Sequence, residues 1–274
     1  MNYRHAFHAG NFADVHKHSS LLLLLAHLRR KETAFHVLDS HAGIGRYDLE
    51  GIEAGKTGEW EEGVGLLRSS KDPLLADYLA QVAGENAEGT LRFYPGSPLL
   101  IRNALRPADR MTLIELHPED AASVKQLFRK DRQVTIREED GYQALKALLP
   151  FKERRGLVLI DPPFEVTDEF QRVIAGLSEA LKRFATGIYA IWYPIKSAAE
   201  VAGFKAELTQ FGKPCLAAEL MRFDFSDNNR LNGSGLAVLN PPWQLDEQMV
   251  SLLRSLHDAL GCRGETRLDW LVRG

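Results

Sequence analysis

The chain has 274 residues, 45% of them hydrophobic and 26% charged, with a formal net charge of -3. That length is enough to bury one large core, while the nearly neutral charge balance excludes a generally basic nucleic-acid-binding module, so contact with a polyanion must rest on a local patch. The two cysteines, Cys215 and Cys262, lie far apart and outside any motif, which excludes a disulfide framework and suits a reducing compartment.

Residues 1–12 carry Tyr3, Arg4, His5, Phe7, His8, Asn11 and Phe12 without an apolar period, which predicts a loop or tail. A helix follows over about residues 13–31, with Asp14 in its first turn and Arg29, Arg30 and Lys31 at its end, the order that a helix dipole favours. Its run from Leu21 to Leu25 is too short to span a bilayer and has no cleavage site after it, so it reads as the buried stripe of a soluble helix. Residues 34–39 form the first strand, ending in Asp39, and Ser40-His41-Ala42-Gly43-Ile44-Gly45 is the turn after it. A strand, an acid and a glycine turn opening a helix make a nucleotide-binding arrangement, and the missing third glycine points away from NAD. Gly55, Gly58, Gly63 and Gly65 then punctuate a helical insertion over about residues 51–92 in which no strand is expected. Tyr94-Pro95-Gly96-Ser97-Pro98 is a turn, with Ser97 the expected cap of a helix over 99–105.

Strands over 111–116, 133–137 and 156–161 follow, each leading into a helix, at 118–130, 142–149 and 167–184. A strand over 187–193, ended by Pro194, precedes a helix over 196–211. Strands over 215–225 and 233–240, joined by a turn at Asp227-Asn228-Asn229, read as an antiparallel hairpin at the sheet edge, before a helix over 244–260 and a strand over 267–272. The expected fold is α/β: a single Rossmann-like domain over residues 1–274, with a mostly parallel, doubly wound sheet, the edge hairpin, the insertion and an N-terminal segment, 1–18, that contacts substrate and cofactor.

The chain is organised around Gly156-Leu157-Val158-Leu159-Ile160-Asp161-Pro162-Pro163-Phe164. The apolar run reads as a buried parallel strand, and the prolines, which lack a donor, stop it at Asp161. Asp39, Glu115, Asp140 and Asp161 then stand at the ends of successive strands, which converge on one crevice in a doubly wound sheet. S-adenosylmethionine needs partners of this kind: Glu115 for the ribose hydroxyls, Asp140 for the adenine amine, and the turn from His41 to Gly45 for the methionine part. An acid, two prolines and an aromatic at this spacing resemble the motif of methyltransferases that modify exocyclic amines of nucleobases; the adenine N6 amine is a poor nucleophile, and an acceptor at Asp161 with the carbonyl of Pro162 can hold both its hydrogens. Phe164 is placed to stack on the base. Asn240-Pro241-Pro242-Trp243 also fits the acceptor pattern, but it ends an expected edge strand and is read as a terminator that packs Trp243. Histidines crowd the first 41 residues. His8, Asp14 and His18 can be imagined around a metal, but no cysteine or helical His-x-x-x-His pair supports that reading and no metal is expected. His18 and His41 are read instead as donors to the cofactor carboxylate.

The opening Tyr3-Arg4-His5-Ala6-Phe7-His8-Ala9-Gly10-Asn11, with Lys17-His18, Asp39-Ser40-His41-Ala42-Gly43, Tyr94-Pro95-Gly96-Ser97-Pro98, Glu115-Leu116-His117-Pro118, Asp140-Gly141, Ile160-Asp161-Pro162-Pro163 and Asn240-Pro241-Pro242-Trp243, resembles the bacterial RlmJ family of 23S ribosomal RNA adenine-N6 methyltransferases. The resemblance implies a class I methyltransferase fold and transfer from S-adenosylmethionine to one adenine of 23S ribosomal RNA by a cytoplasmic monomer. It implies cofactor contacts from His18, His41, Ser97, Glu115, Asp140 and Gly141, catalysis by Asp161 and a substrate contact from Tyr3, with His5 and Lys17 assisting. Phe164 departs from the tyrosine common in this motif, so stacking survives without a hydroxyl. The alternatives are a DNA adenine-N6 methyltransferase, for which no target-recognition domain is visible, and a non-catalytic RNA- or metal-binding protein on the same sheet.

Overall fold

The computed structural model describes residues 4–224 and 230–274. In chain order it contains helix Phe12–Arg29 (α1), strands His36–Asp39 (β1) and Arg46–Asp48 (β2), helices Ile52–Thr57 (α2), Val64–Leu67 (α3) and Ala76–Gly84 (α4), strand Phe93–Pro95 (β3) and helix Ser97–Ala104 (α5). Strands and helices then alternate: Arg110–Ile114 (β4), Pro118–Leu127 (α6), Val134–Arg137 (β5), Gly141–Leu148 (α7), Gly156–Ile160 (β6), Glu169–Arg183 (α8), Ile188–Ile195 (β7) and Ala198–Thr209 (α9). Cys215–Met221 (β8), Gly233–Leu239 (β9), Leu245–Ala259 (α10) and Thr266–Val272 (β10) complete the described elements.

Eight strands form one sheet in the order β10-β8-β9-β7-β6-β1-β4-β5. From β1 the chain builds outward through β4 and β5, then returns to lay β6 and β7 on the other side, all in parallel. The crevice at that reversal, between β1 and β6, is where open α/β sheets bind ligands. β9 runs antiparallel to both β7 and β8, and β10 lies outside β8. The antiparallel pair therefore stands at the expected end of the sheet, with the last strand added as its edge. This is the expected Rossmann-like architecture, a mostly parallel, doubly wound sheet with an antiparallel end.

β6 is buried along its whole length. Its four large side chains, Leu157 to Ile160, are each at most 1% exposed, and each stabilises the fold by roughly 1.5–3 kcal/mol through burial. Leu157 and Leu159 face the core shared with α1, α5 and α10, while Val158 and Ile160 face the core under α7, α8 and α9. Leu67, Tyr78 and Val82 of the insertion lie in the same core as Leu24 of α1.

Three local features differ from the sequence expectation. The turns on either side of the insertion carry strands, because β2 and β3 pair antiparallel as a separate ribbon, Tyr47 opposite Tyr94, so the glycine turn leads into β2 rather than opening a helix, while residues 51–92 hold no strand; three residues are too few to show a period of two. Pro194 does not end β7, which continues to Ile195. Ile195 directs its carbonyl at the Asn232 amide on the β9 side, so the Pro194 nitrogen faces the side where the ladder to β6 has already ended at Ile160 and no donor is missed. The first half of α1 is buried almost all round, including Asp14, His16, Lys17, His18, Ser19 and Ser20; Asp14, Lys17 and His18 line a cavity, and His16 Nδ1 pairs with Ser234 Oγ of β9 at 2.9 Å. The turn at 225–229 lies outside the described residues.

The start of β6 admits only glycine. A Cβ on Gly156 would stand 2.1 Å from the His36 carbonyl oxygen and 2.7 Å from the Phe151 ring. Gly156→Ala should destabilise the protein by roughly 2–3 kcal/mol by pushing β6 off β1. Urea denaturation measures this, and a change below about 0.5 kcal/mol would mean that the register is not tightly held.

Candidate active site

A cavity of about 550 Å³ opens at the C-terminal edge of the central strands. It gathers eleven of the residues singled out in the sequence: His5, Lys17, His18, His41, Ser97, Glu115, Asp140, Gly141, Asp161, Pro162 and Phe164. Tyr3 lies outside the described residues.

One half of the cavity is built on the turn after β1. Gly43 and Gly45 adopt φ of 61° and 81°, the left-handed conformation that glycine enters without strain. The Gly43 amide donates to Glu115 Oε2 at 2.8 Å, and the His117 amide donates to Glu115 Oε1 at 2.8 Å. Burial raises the Glu115 carboxyl above its ordinary range, and these two amides partly offset that. Gly141 presses against the same turn, where a Cβ would lie 2.2 Å from the Ser40 carbonyl oxygen. Asp140 caps α7, its Oδ1 accepting from the amides of Tyr142 at 2.9 Å and Gln143 at 3.0 Å, while Arg172 reaches Oδ2 at 3.3 Å. Ser97 is not a cap, since it already lies inside α5; its hydroxyl donates to Asp39 Oδ2 at 2.6 Å. His41 Nδ1 pairs with Ser40 Oγ at 2.8 Å, and His18 Nδ1 with the Tyr94 hydroxyl at 2.7 Å. Burial pushes His41 down to about 4 and His18 to about 3, so both rings are neutral at pH 7.

The other half centres on Asp161, at the end of β6. The Lys17 ammonium bridges Asp161 Oδ2 and Asp14 Oδ1, the latter at 2.9 Å. Asp14 Oδ2 accepts from the Gly10 amide at 2.9 Å and pairs with His5 Nε2 at 2.8 Å. Burial works against the Lys17 charge, but Asp14 and Asp161 outweigh it and hold the ammonium above the usual lysine range. Burial likewise opposes ionisation of Asp14, yet His5, Lys17 and His18 keep its carboxyl well below the usual range. Phe164 has φ of 49°, a strained value for a bulky residue of the kind that gathers at functional sites. Its ring packs at 4.9 Å from Phe170 and 5.7 Å from Trp192, and Phe164 and Trp192 together form an aromatic wall of the cavity.

Sequence reasoning missed Trp192, Tyr142, Arg172 and the pairing role of Asp14. Trp192 becomes a site residue only when β7 is laid beside β6, and Asp14 only because its neighbour Lys17 meets Asp161, but Arg172 stands one turn after Asp168, near the acceptor motif, and its charge was a usable signal. The segment before α1 is also tied down more firmly than its lack of an apolar period implies. It forms a short 3-10 turn, His5–Phe7, with Arg4 paired to Glu119, His8 Nδ1 at 2.9 Å from Glu59, and the Gly10 carbonyl accepting from the Val64 amide at 2.8 Å. Polar contacts do here what apolar periodicity does in a helix. Among the described residues, no group of three or more His, Cys, Asp and Glu could hold a metal ion.

The competing motif lies elsewhere. Leu239 pairs with Tyr189 at the start of β7, so Asn240 stands at the opposite edge of the sheet from Asp161. β9 is an inner strand, and its direction rather than an edge position removes Asn240 from the cavity. Asn240 Nδ2 donates to the Gly187 carbonyl at 2.7 Å. Trp243 is not packed, being 79% exposed.

Burial pushes the Asp39 carboxyl up to about 7 from its ordinary 3.8, with the Ser97 hydroxyl opposing and Asp161 adding to the rise. A carboxyl raised in the folded state contributes its full stability below its unfolded pKa and loses it as pH rises through the folded value. Asp39→Asn should therefore stabilise the protein progressively more between about pH 4 and about pH 7 and by a constant amount above that. Urea denaturation across that range checks this, and a difference independent of pH would show that Asp39 is not held protonated.

A family model described as "Ribosomal RNA large subunit methyltransferase D, RlmJ" matches residues 32–272. The protein named ribosomal RNA large subunit methyltransferase J of Escherichia coli (strain K12) is 42% identical over 277 residues, covering 99% of this chain and 99% of its own. Its namesake in Haemophilus influenzae is 44% identical over 278 residues with the same coverage of both. Among solved structures, protein LPL1258 of Legionella pneumophila aligns with a TM-score of 0.90 at 32% identity, covering 96% of this chain and 98% of that one. No helix of the described residues is long and apolar enough to cross a membrane. With the family model spanning the whole sheet and both relatives aligned end to end, the chain belongs to the RlmJ family of ribosomal RNA large subunit methyltransferases.

Proposed function

We propose that this protein methylates the N6 amine of one adenine in 23S ribosomal RNA with S-adenosylmethionine as donor, and that it works in the cytoplasm as a single catalytic domain and a monomer. The observation that carries the reading is the placement of Asp161. It ends a fully buried central strand, beside the glycine turn of β1, in a cavity walled by Phe164 and Trp192.

The residues present fit the cofactor. Gly141 and Gly43 keep backbone where a side chain would block the turn. Glu115 is the acceptor for the ribose hydroxyls and Asp140 for the adenine amine, while the neutral His18 and His41 and the Ser97 hydroxyl serve the methionine end. When bound, S-adenosylmethionine supplies a methyl group already activated on a sulfonium centre. The protein's own work is then to position and prepare the nucleophile.

Lys17 engages Asp161 Oδ2, which leaves Oδ1 to accept a hydrogen of the adenine amine, and the Pro162 carbonyl takes the second. Holding both hydrogens draws the nitrogen lone pair out of conjugation and towards the methyl group. As the nitrogen gains its methyl group it loses one proton, and Asp161 is the carboxylate placed to accept it. The base stacks against Phe164 and Trp192, contacts worth ~1–3 kcal/mol each, and it must leave its own stack to arrive there. His5, which lines the cavity, and Tyr3, carried over from the family motif, complete the substrate side.

Asp161→Ala should lower the turnover of RNA methylation by about 10³-fold while S-adenosylmethionine affinity stays within about threefold. Glu115→Ala should weaken cofactor binding chiefly, by roughly tenfold or more. Isothermal titration with the cofactor and a methyl-transfer assay on unmodified 23S ribosomal RNA separate the two effects. Near-normal turnover of Asp161→Ala would remove the acceptor from the mechanism.

A further inference from the structure

The sheet brings more than Asp161 to its active edge. β7 ends at Ile195, β8 ends at Met221 and β9 begins at Gly233, and these three residues are register partners. Lys196 follows the first, Arg222 follows the second, and Arg230 precedes the third by three residues. All three cations line the same cavity as Asp161, on the side away from the acids of the β1 turn.

They differ in what else they do. The Arg222 guanidinium is spent internally, donating to the carbonyls of Leu260 and, at 2.8 Å, Gly261 behind α10, with Glu62 at 4.0 Å. Lys196 and Arg230 are both exposed, and among the described residues neither has an ion-pair partner. Arg230 lies over the Phe223 ring, 3.2 Å from its centroid, and Phe223 meets Phe12 of α1 edge-on at 6.4 Å. The contact holds the exposed guanidinium beside the core helix, and among the described residues no hydrogen bond occupies its donors. A held cation with an unused donor edge, beside an exposed ammonium, is a site for a phosphodiester.

We propose that Lys196 and Arg230 grip the RNA backbone at a phosphate flanking the target nucleotide, so that the ends of β7, β8 and β9 form the track along which RNA lies while the base enters the cavity. This rests on the RNA methyltransferase reading above and adds the surface that serves it. The charge distribution favours this side. The chain carries a net charge of -3, and the far side of the cavity presents Glu115, Asp120 and Asp140, which repel phosphate and suit a cationic cofactor; of the other acids in the lining, Glu59 is offset by His8 and Glu62 by Arg222, and Glu165 stands beside Phe164. A polyanion has this rim as its attractive approach. Backbone contacts of this kind position a nucleic acid without reading its sequence.

The test uses the full-length protein and an unmodified 23S ribosomal RNA transcript. RNA affinity is measured by direct titration at several salt concentrations, and KM for RNA and for S-adenosylmethionine by methyl transfer. Lys196→Ala and Arg230→Ala should each weaken RNA binding roughly three- to tenfold and lower the slope of log affinity against log salt by about 0.7–0.9. KM for S-adenosylmethionine should stay within about twofold. Lys196→Arg should restore the salt slope, because charge rather than shape is at issue. Unchanged RNA affinity and slope in both alanine variants would overturn the proposal, as would a loss that Lys196→Arg does not rescue. Should the wild type bind this RNA without methylating it, the target reading fails, and the titrations still decide the rim.

Discussion

The acceptor end of the cavity depends on one buried ammonium. Lys17 of α1 sits between Asp14, one turn back on the same helix, and Asp161 at the end of β6. Two carboxylates and a lysine removed from water are expensive, and the pairing tends to recover that loss rather than exceed it. Deleting the lysine would leave two buried negative charges facing each other, a loss of about 3–5 kcal/mol for a broken buried pair. The triad is thus a device of position. It locks α1 to the central strand and occupies one oxygen of the Asp161 carboxylate, in a residue that lines the cavity. The Gly10 amide and His5 hold Asp14 from behind, which couples the segment before α1 to the same point.

The parts of this arrangement that were legible in the sequence were local ones. An apolar run closed by two prolines can only be a buried strand ending at Asp161, and glycines after an acid can only be a tight turn. Strand-end acids follow from strand ends, so Asp39, Glu115, Asp140 and Asp161 could be named together. What could not be read depended on side chains meeting across long separations. Asp14 looked like a dipole-matching residue of a first turn, and Asp161, which shares the Lys17 ammonium with it, lies 144 positions beyond Lys17. Trp192 looked like strand interior until β7 was laid beside β6. The β2–β3 ribbon escaped notice because its strands are three residues each. Pro194 misled because a proline stops a ladder only on the side where a ladder still runs.

The cavity is divided by charge. Around the β1 turn the wall is acidic, with Glu115 and Asp140 fixed by backbone amides; across the aromatic wall of Phe164 and Trp192, the rim is cationic. On the proposed reading, a sulfonium donor and a polyanionic acceptor meet opposite fields within one cavity of about 550 Å³, each steered to its own side. The chain needs no overall positive charge for this, because topology alone gathers its cations at the ends of three neighbouring strands.

The most direct measurement is of the product itself. The purified protein is incubated with S-adenosylmethionine labelled in its methyl group and with 23S ribosomal RNA never exposed to this activity; the RNA is then digested to nucleosides and the labelled sites are mapped. Label in N6-methyladenosine, at a single position, is the expected result. Label in another nucleoside, or at many adenines without preference, would contradict an Asp161 that holds one exocyclic amine in a closed aromatic site.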